Sequence, residues 1–187
     1  MVISLQQFGE NDFDRLIAEV PDARFLLQWS GPKYTHPLDA TQLQDTLEKA
    51  TGDNPAFYVF KAVLPETLET VGHIQLMNID YEAAKCTLGR VLMFKEHRGK
   101  GFGKELVAMA VQEAFENLNL NEVMLSVFDF NAIAIAAYKS IGFVEYQFEE
   151  AARSFRNEKW NIIKMKINKG NRPPIEPTFS ERMPKKS

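Results

Sequence analysis

Three glycines at alternate positions, Gly99, Gly101 and Gly103, stand between an apolar run and the most regular amphipathic stretch of the chain. The run from Cys86 to Phe94 has strand character. Beyond the glycines, Lys104 to Leu118 sets Leu106, Val107, Ala110, Val111, Ala114 and Leu118 on one helical stripe. A strand that passes through Arg98-Gly99-Lys100-Gly101-Phe102-Gly103-Lys104 straight into a helix narrows the choice of fold sharply. Free backbone N–H groups meet the positive end of the helix dipole there, which suits a phosphate. The turn is not a Walker A loop, because Gly-Lys-Glu replaces Gly-Lys-Ser/Thr, and its spacing is not the Gly-x-Gly-x-x-Gly of a Rossmann nucleotide loop. A plain connection needing positive φ would carry the same glycines, so a second feature has to decide.

The surrounding segments set the architecture. Residues 2–8 read as a strand, 12–20 as a helix stopped by Pro21, and 41–50 as a second helix with Leu43 and Leu47 on one face, after the turn-rich Trp29-Ser30-Gly31-Pro32. Strands follow at 56–63, 71–79 and 86–94, and their short connections favour antiparallel neighbours. After the long helix come a strand at 123–128, a short helix at 132–140, and strands at 144–150 and 159–167. The order β-α-α-β-β-β-α-β-α-β-β predicts a mixed α/β fold, with a mostly antiparallel central sheet and flanking helices. Within it the unit over 86–128 should be parallel with a right-handed crossover.

A length of 187 residues suits one domain, expected over 1–167, with a Pro-rich basic tail at 168–187 holding four of the nine prolines. With 45% hydrophobic and 25% charged residues, the whole is not a disordered chain. No apolar run approaches the roughly 20 residues of a spanning helix, and Met-Val-Ile-Ser does not open a signal peptide. The expectation is a cytoplasmic protein without a membrane partner. A net charge of −3, with +3 in the tail and −6 in the body, argues against a nucleic-acid partner. Cys86 is the single cysteine, which excludes an intrachain disulfide and a cysteine-rich zinc site, so no metal is expected.

The deciding feature begins 28 residues after Gly103: Asn131-Ala132-Ile133-Ala134-Ile135-Ala136-Ala137-Tyr138-Lys139-Ser140-Ile141-Gly142-Phe143. Asn131 is well typed to cap a helix, and Tyr138 stands two turns along the same face. Together the two elements resemble the GNAT superfamily of N-acetyltransferases. Arg98, Gly101 and Gly103 fill that family's Arg/Gln-x-x-Gly-x-Gly/Ala loop, and Asn131, Ala134, Tyr138, Gly142 and Phe143 fill its Asn-x-x-Ala-x-x-x-Tyr-x-x-x-Gly-Phe pattern. Gly72-His73-Ile74 and Leu88-Gly89-Arg90-Val91 look most like the branch containing ribosomal-protein N-terminal acetyltransferases, which also holds small-amine and antibiotic acetylases.

The resemblance implies a GNAT-like fold with splayed central strands and acetyl-CoA as cosubstrate. Its pyrophosphate would lie on the backbone of Arg98, Gly99, Lys100, Gly101, Phe102, Gly103 and Lys104. Its pantetheine arm would pair with the backbone of Val91 and Met93, and Asn131 would either hydrogen-bond that arm or cap its helix. A neutral amine would attack the thioester directly in a ternary complex, with Tyr138 as the general acid for the thiolate. The acceptor would be a small-molecule amine or a protein N-terminus, and a homodimer through surface pairing of the late strands would be ordinary. The departure from the family concerns the base. Thr87 stands where a glutamate often precedes the strand glycine, here Gly89, leaving His73, Glu82 and Asp129 as candidates. An acceptor of low amine pKa, or a water chain, would meet the same need. Arg90 could bind an acidic group on the acceptor or pair internally. A non-catalytic acyl-CoA-binding regulator on the same fold is the alternative reading. Cys86 has no role in direct transfer.

Overall fold

The computed structural model describes residues 2–171. In chain order the elements are β1 (Ser4–Gln7), α1 (Phe13–Ala18), α2 (Ala23–Ser30), α3 (Ala40–Glu48), β2 (Phe57–Val63), β3 (Thr70–Asp80), β4 (Lys85–Met93), α4 (Phe102–Gln112), β5 (Glu122–Phe128), α5 (Ala132–Ile141), β6 (Val144–Phe155) and β7 (Glu158–Asn168). The strands form one seven-stranded sheet in the order β1-β2-β3-β4-β5-β7-β6, antiparallel except for the β4–β5 pair. The mixed, mostly antiparallel sheet expected from the chain is therefore the one observed.

Three details differ from the sequence reading. There is one more helix before β2, because Pro21 and Gly31-Pro32 bracket an eight-residue helix, α2, which takes in Trp29 and Ser30 of the expected turn. Its start is marked by Asp22, whose side chain accepts from the Phe25 amide at 2.8 Å. The long helix starts two residues earlier, at Phe102, and its last turn widens into a π-helical turn over Glu113–Asn117. β6 runs on to Phe155, and β7 ends at Asn168, the first residue of the expected tail. Most of that tail, 172–187, lies outside the described residues. No described helix is long and apolar enough to cross a membrane.

Both faces of the sheet are covered. On one, Leu106, Val107, Ala110 and Val111 of α4 are buried with Ile74, Leu76, Leu88, Val123 and Leu125. On the other, Phe13, Leu16, Leu26 and Leu43 of α1–α3 are buried with Val59, Leu92 and Phe94. Each fully buried Leu or Phe contributes about 1.5–3 kcal/mol relative to exposure, so the two layers hold the strands firmly from both sides.

The sheet nevertheless splits at its centre. Parallel pairing of β4 with β5 is confined to Lys85↔Glu122, Cys86↔Val123 and Thr87↔Met124. Past Thr87, β4 follows β3 while β5 stays with β7 as far as Phe128↔Ile162. The β3–β4 register steps from His73↔Leu92 to Gln75↔Gly89, which inserts an extra residue into β4, and Arg90 there adopts φ 50°. Such a bulge bends the strand that carries it. Helix α2 lies across both sides of the split: Leu26 packs with Leu92 and Phe94, whereas Leu27 packs with Phe128 and Trp160, and Arg24 pairs with Glu158 at 2.9 Å.

Close approach of β3 to β4 depends on Gly72. A Cβ there would meet the Leu92 carbonyl oxygen and the Met93 sulfur, each at 2.9 Å. The sulfur can swing away, but the carbonyl belongs to the ladder. Gly72→Ala is therefore expected to destabilise the fold by about 1–3 kcal/mol, as overpacking does. Urea titration should show a lower midpoint at unchanged slope, and wild-type stability would mean that β4 yields freely at this point.

Candidate active site

The split opens beside the end of β4, where backbone groups lose their strand partner. The peptide joining Met93 to Phe94 sends its N–H to the Val71 carbonyl at 2.9 Å. Its C=O therefore points the other way, into the gap, where Arg98 Nε donates to it at 2.9 Å. Arg98 also lies 3.6 Å from a Glu19 carboxylate oxygen and over the Phe25 ring. The side chain of Arg98 is thus turned back onto β4 and the helical layer, where it braces the loop, and the loop's own contribution is made by its backbone.

That backbone is accessible. Gly99 and Gly101 have φ 75° and 83°, and a Cβ at either would meet nothing within 4 Å. Gly101 is the N-cap of α4, and no side chain accepts from the first-turn amides. Lys100 and Lys104 are exposed and enter no ion pair among the described residues. Open space, first-turn amides that no side chain caps, and two ammonium groups outside the ion pairs of the described residues, all at a helix N-terminus, fit a diphosphate. Gly103 differs from them, because a Cβ there would lie 3.4 Å from Met93 Cγ, in ordinary contact with β4.

Val91, Met93, Phe102, Ala134 and Tyr138 are all partly buried and pack on the rim of the α4–α5 core. The residues expected along the cofactor are in this way gathered from β4, α4 and α5. The Tyr138 ring centroid lies 5.9 Å from that of Phe143. Burial pushes its phenol up to about 12, so the hydroxyl keeps its proton at neutral pH and is available as a donor. Asn131 Oδ1 accepts from the Ala134 amide at 3.3 Å, so of its two expected roles the cap is the one its side chain occupies.

The candidate bases separate clearly. Glu82 lies in the β3–β4 turn, at the paired end of β4 and β5 and away from the split. Asp129 is exposed and accepts from Asn161 Nδ2 at 2.7 Å. His73 is fully buried, and burial together with the Arg90 charge lowers its pKa to about 3, too low to hold a proton taken from an amine. Cys86 is buried, with its thiol pushed up to about 12 by desolvation, so it is no nucleophile at neutral pH. Among the described residues no group of three His, Cys, Asp or Glu side chains is placed to hold a metal ion.

Beside the bulge lies a polar cluster that sequence reasoning did not assemble: Trp29, Tyr34, His73, Gln75 and Arg90. Gln75 is fully buried and its Nε2 lies 2.9 Å from His73 Nε2, while Arg90 Nη1 donates to Gln75 Oε1. Trp29 and Phe8 meet His73 edge-on, and Tyr34 lies under Arg90. One signal was present in the sequence: His73 and Gln75 are polar residues two apart in an apolar strand, hence on one face. A shallow groove of about 640 Å³ between α1 and α3, lined in part by Glu10, Asp14, Asp45 and Glu48, contains none of these groups.

A family model described as an acetyltransferase (GNAT) domain matches residues 3–144. The chain is 29% identical over 154 residues to an uncharacterised N-acetyltransferase, p20, of Bacillus licheniformis, an alignment that covers 78% of this chain and 84% of that protein. It is 33% identical over 75 residues to a spermidine N(1)-acetyltransferase of Vibrio cholerae, covering 40% of this chain and 43% of that one. Among solved structures, a spermidine N-acetyltransferase of Vibrio cholerae in complex with CoA and spermine superposes with a TM-score of 0.79 at 21% identity, over 91% of this chain and 97% of that chain.

Proposed function

Because the chain belongs to the GNAT acetyltransferase family, we propose that it transfers the acetyl group of acetyl-CoA to the primary amine of a small molecule by direct attack in a ternary complex. The observation that carries the proposal is the split between β4 and β5, with an open glycine cradle at its mouth. The backbone of Gly99 to Lys104 would hold the pyrophosphate, assisted by the Lys100 and Lys104 ammonium groups. The pantetheine would run along Val91 and Met93, sharing the Met93 carbonyl with Arg98, since a carbonyl oxygen has two lone pairs.

The neutral amine nitrogen then attacks the thioester carbon. As the new C–N bond forms, the C–S bond breaks, and the thiolate takes the Tyr138 proton, which solvent replaces. The attacking nitrogen gives up its proton to water, consistent with Thr87 in the usual glutamate position and with the low pKa of His73. The relatives named above include a polyamine acetyltransferase, which favours a small-molecule amine, and they lend no support to the ribosomal-protein branch. Thr87 also motivates the second reading, an acyl-CoA-binding regulator, which turnover of any amine would exclude.

A thiol-release assay with acetyl-CoA across small amines tests the proposal, and absence of turnover throughout would overturn it. Its pH profile carries a further expectation. With no enzymic base, the acidic limb of kcat/KM should follow the acceptor's own amine pKa from substrate to substrate and should stay in place in His73→Gln. A limb fixed near about pH 6.5 for every acceptor, the range of an ordinary histidine, would identify an enzymic base instead.

A further inference from the structure

The cluster beside the bulge holds more hydrogen-bond donors than acceptors. Arg90 has no acceptor lone pair, so Gln75 must turn its Oε1 toward Nη1, and its Nε2 then faces His73 as the donor. His73 Nε2 is thereby the acceptor, and the neutral ring carries its hydrogen on Nδ1. Three buried N–H groups of the cluster have no partner among the described residues: Arg90 Nε, His73 Nδ1 and Trp29 Nε1. Arg90 itself is only 9% exposed, and no carboxylate among the described residues pairs with it. A buried cation is ordinarily paired, and buried donors are ordinarily satisfied.

The surroundings add positive charge and little to offset it. Contact with Lys49, burial and the Arg90 charge hold the Lys33 pKa below the usual lysine range, against the opposing pull of Asp45. The Tyr34 hydroxyl is engaged with Thr46 Oγ1 at 2.7 Å, leaving its ring face to the Arg90 guanidinium, 4.9 Å from the centroid. Backbone bulging at Arg90 sets this cluster next to the unpaired stretch of β4, the stretch proposed above to hold the pantetheine.

We infer that Arg90 is the specificity-determining residue of an oxyanion subsite, and that the acceptor is a small amine carrying a carboxylate or phosphonate group. The inference rests on the acetyltransferase reading and sharpens it. Only an acceptor of hydrogen bonds can satisfy a set of orphan donors, and only an anion also offsets the cation. A protonated polyamine brings donors and positive charge, so it is the wrong complement on both counts.

Two measurements test the subsite. In the first, thiol release is followed with amino acids and 2-aminoethylphosphonate against the matching amino-acid amides and spermidine. The expected result is a kcat/KM at least tenfold higher for the best anionic acceptor than for its neutral counterpart, with the preference moving between carboxylate and phosphonate arms according to which oxyanion the subsite takes. Arg90→Met should bring that ratio toward one, chiefly through KM, and Arg90→Lys should restore part of it, with circular dichroism confirming that both variants fold. Equal or better use of amides or spermidine would overturn the inference, as would an unchanged ratio in Arg90→Met. In the second, calorimetry measures binding of the same amino acids and 2-aminoethylphosphonate to CoA-loaded wild type and Arg90→Met. Arg90-dependent binding without turnover would keep the subsite and discard the transfer reading, whereas turnover without Arg90-dependent binding would do the reverse.

Discussion

Replacing Tyr138 by phenylalanine is expected to lower kcat by about 10²–10⁴-fold, the usual contribution of a general acid, while leaving acetyl-CoA affinity close to that of the wild type. The two effects separate because the ring and the hydroxyl have different work. The ring is half-buried on the rim of the α4–α5 core and sits against Phe143, contacts that phenylalanine preserves. The hydroxyl is held protonated, its pKa raised to about 12 by burial, and is the group proposed to hand a proton to the departing thiolate. Steady-state turnover with a confirmed acceptor, together with calorimetric titration of acetyl-CoA, gives both numbers. A fall of less than about threefold, well short of a general acid's share, would reduce Tyr138 to a wall residue and leave solvent to protonate the sulfur.

Gly101→Glu should abolish acetyl-CoA binding at concentrations that saturate the wild type. Gly101 caps α4 with φ 83°, and a side chain there projects into space free of protein atoms for 4 Å, where the diphosphate is proposed to sit. A carboxylate at a helix N-terminus favours the helix itself, so the element survives while the anion site is filled from within. Repulsion between like charges near a protein surface is about 4 kcal/mol at 4 Å, which corresponds to a loss of roughly 10³-fold in affinity. Gly101→Ala controls for the backbone. A non-glycine residue in the left-handed region costs about 1–2 kcal/mol but adds no charge, so its affinity should fall far less. Unchanged binding by folded Gly101→Glu would remove the cofactor from this loop, and equal losses in both variants would assign the effect to strain.

The elements that carry the proposed cofactor site were legible because their signals are local. Alternating glycines before an apolar stripe announce the α4 N-terminus, and Asn131 with Gly142 brackets α5 through a cap and a left-handed C-cap, both within one stretch of chain. Helix α2 is absent from the sequence reading because it is short and lies between the Pro21 stop and the Gly31-Pro32 turn, with the Asp22 cap as its one clear marker. The order of α/β elements, the parallel β4–β5 unit and the phosphate-type loop thus follow from consecutive residues and their periodicity. What only the tertiary structure decided is the environment of each polar group. His73 reads in the sequence as a base candidate, yet α2 and Arg90 close over it and strip it of solvent, so that it stays neutral. Arg90 reads as open between an internal partner and a ligand, and it is the folding of the Trp29–Tyr34 segment onto β3 and β4 that buries it with no paired carboxylate among the described residues. Periodicity and capping are encoded between near neighbours, whereas desolvation and unmet hydrogen bonds arise only when distant segments exclude water together.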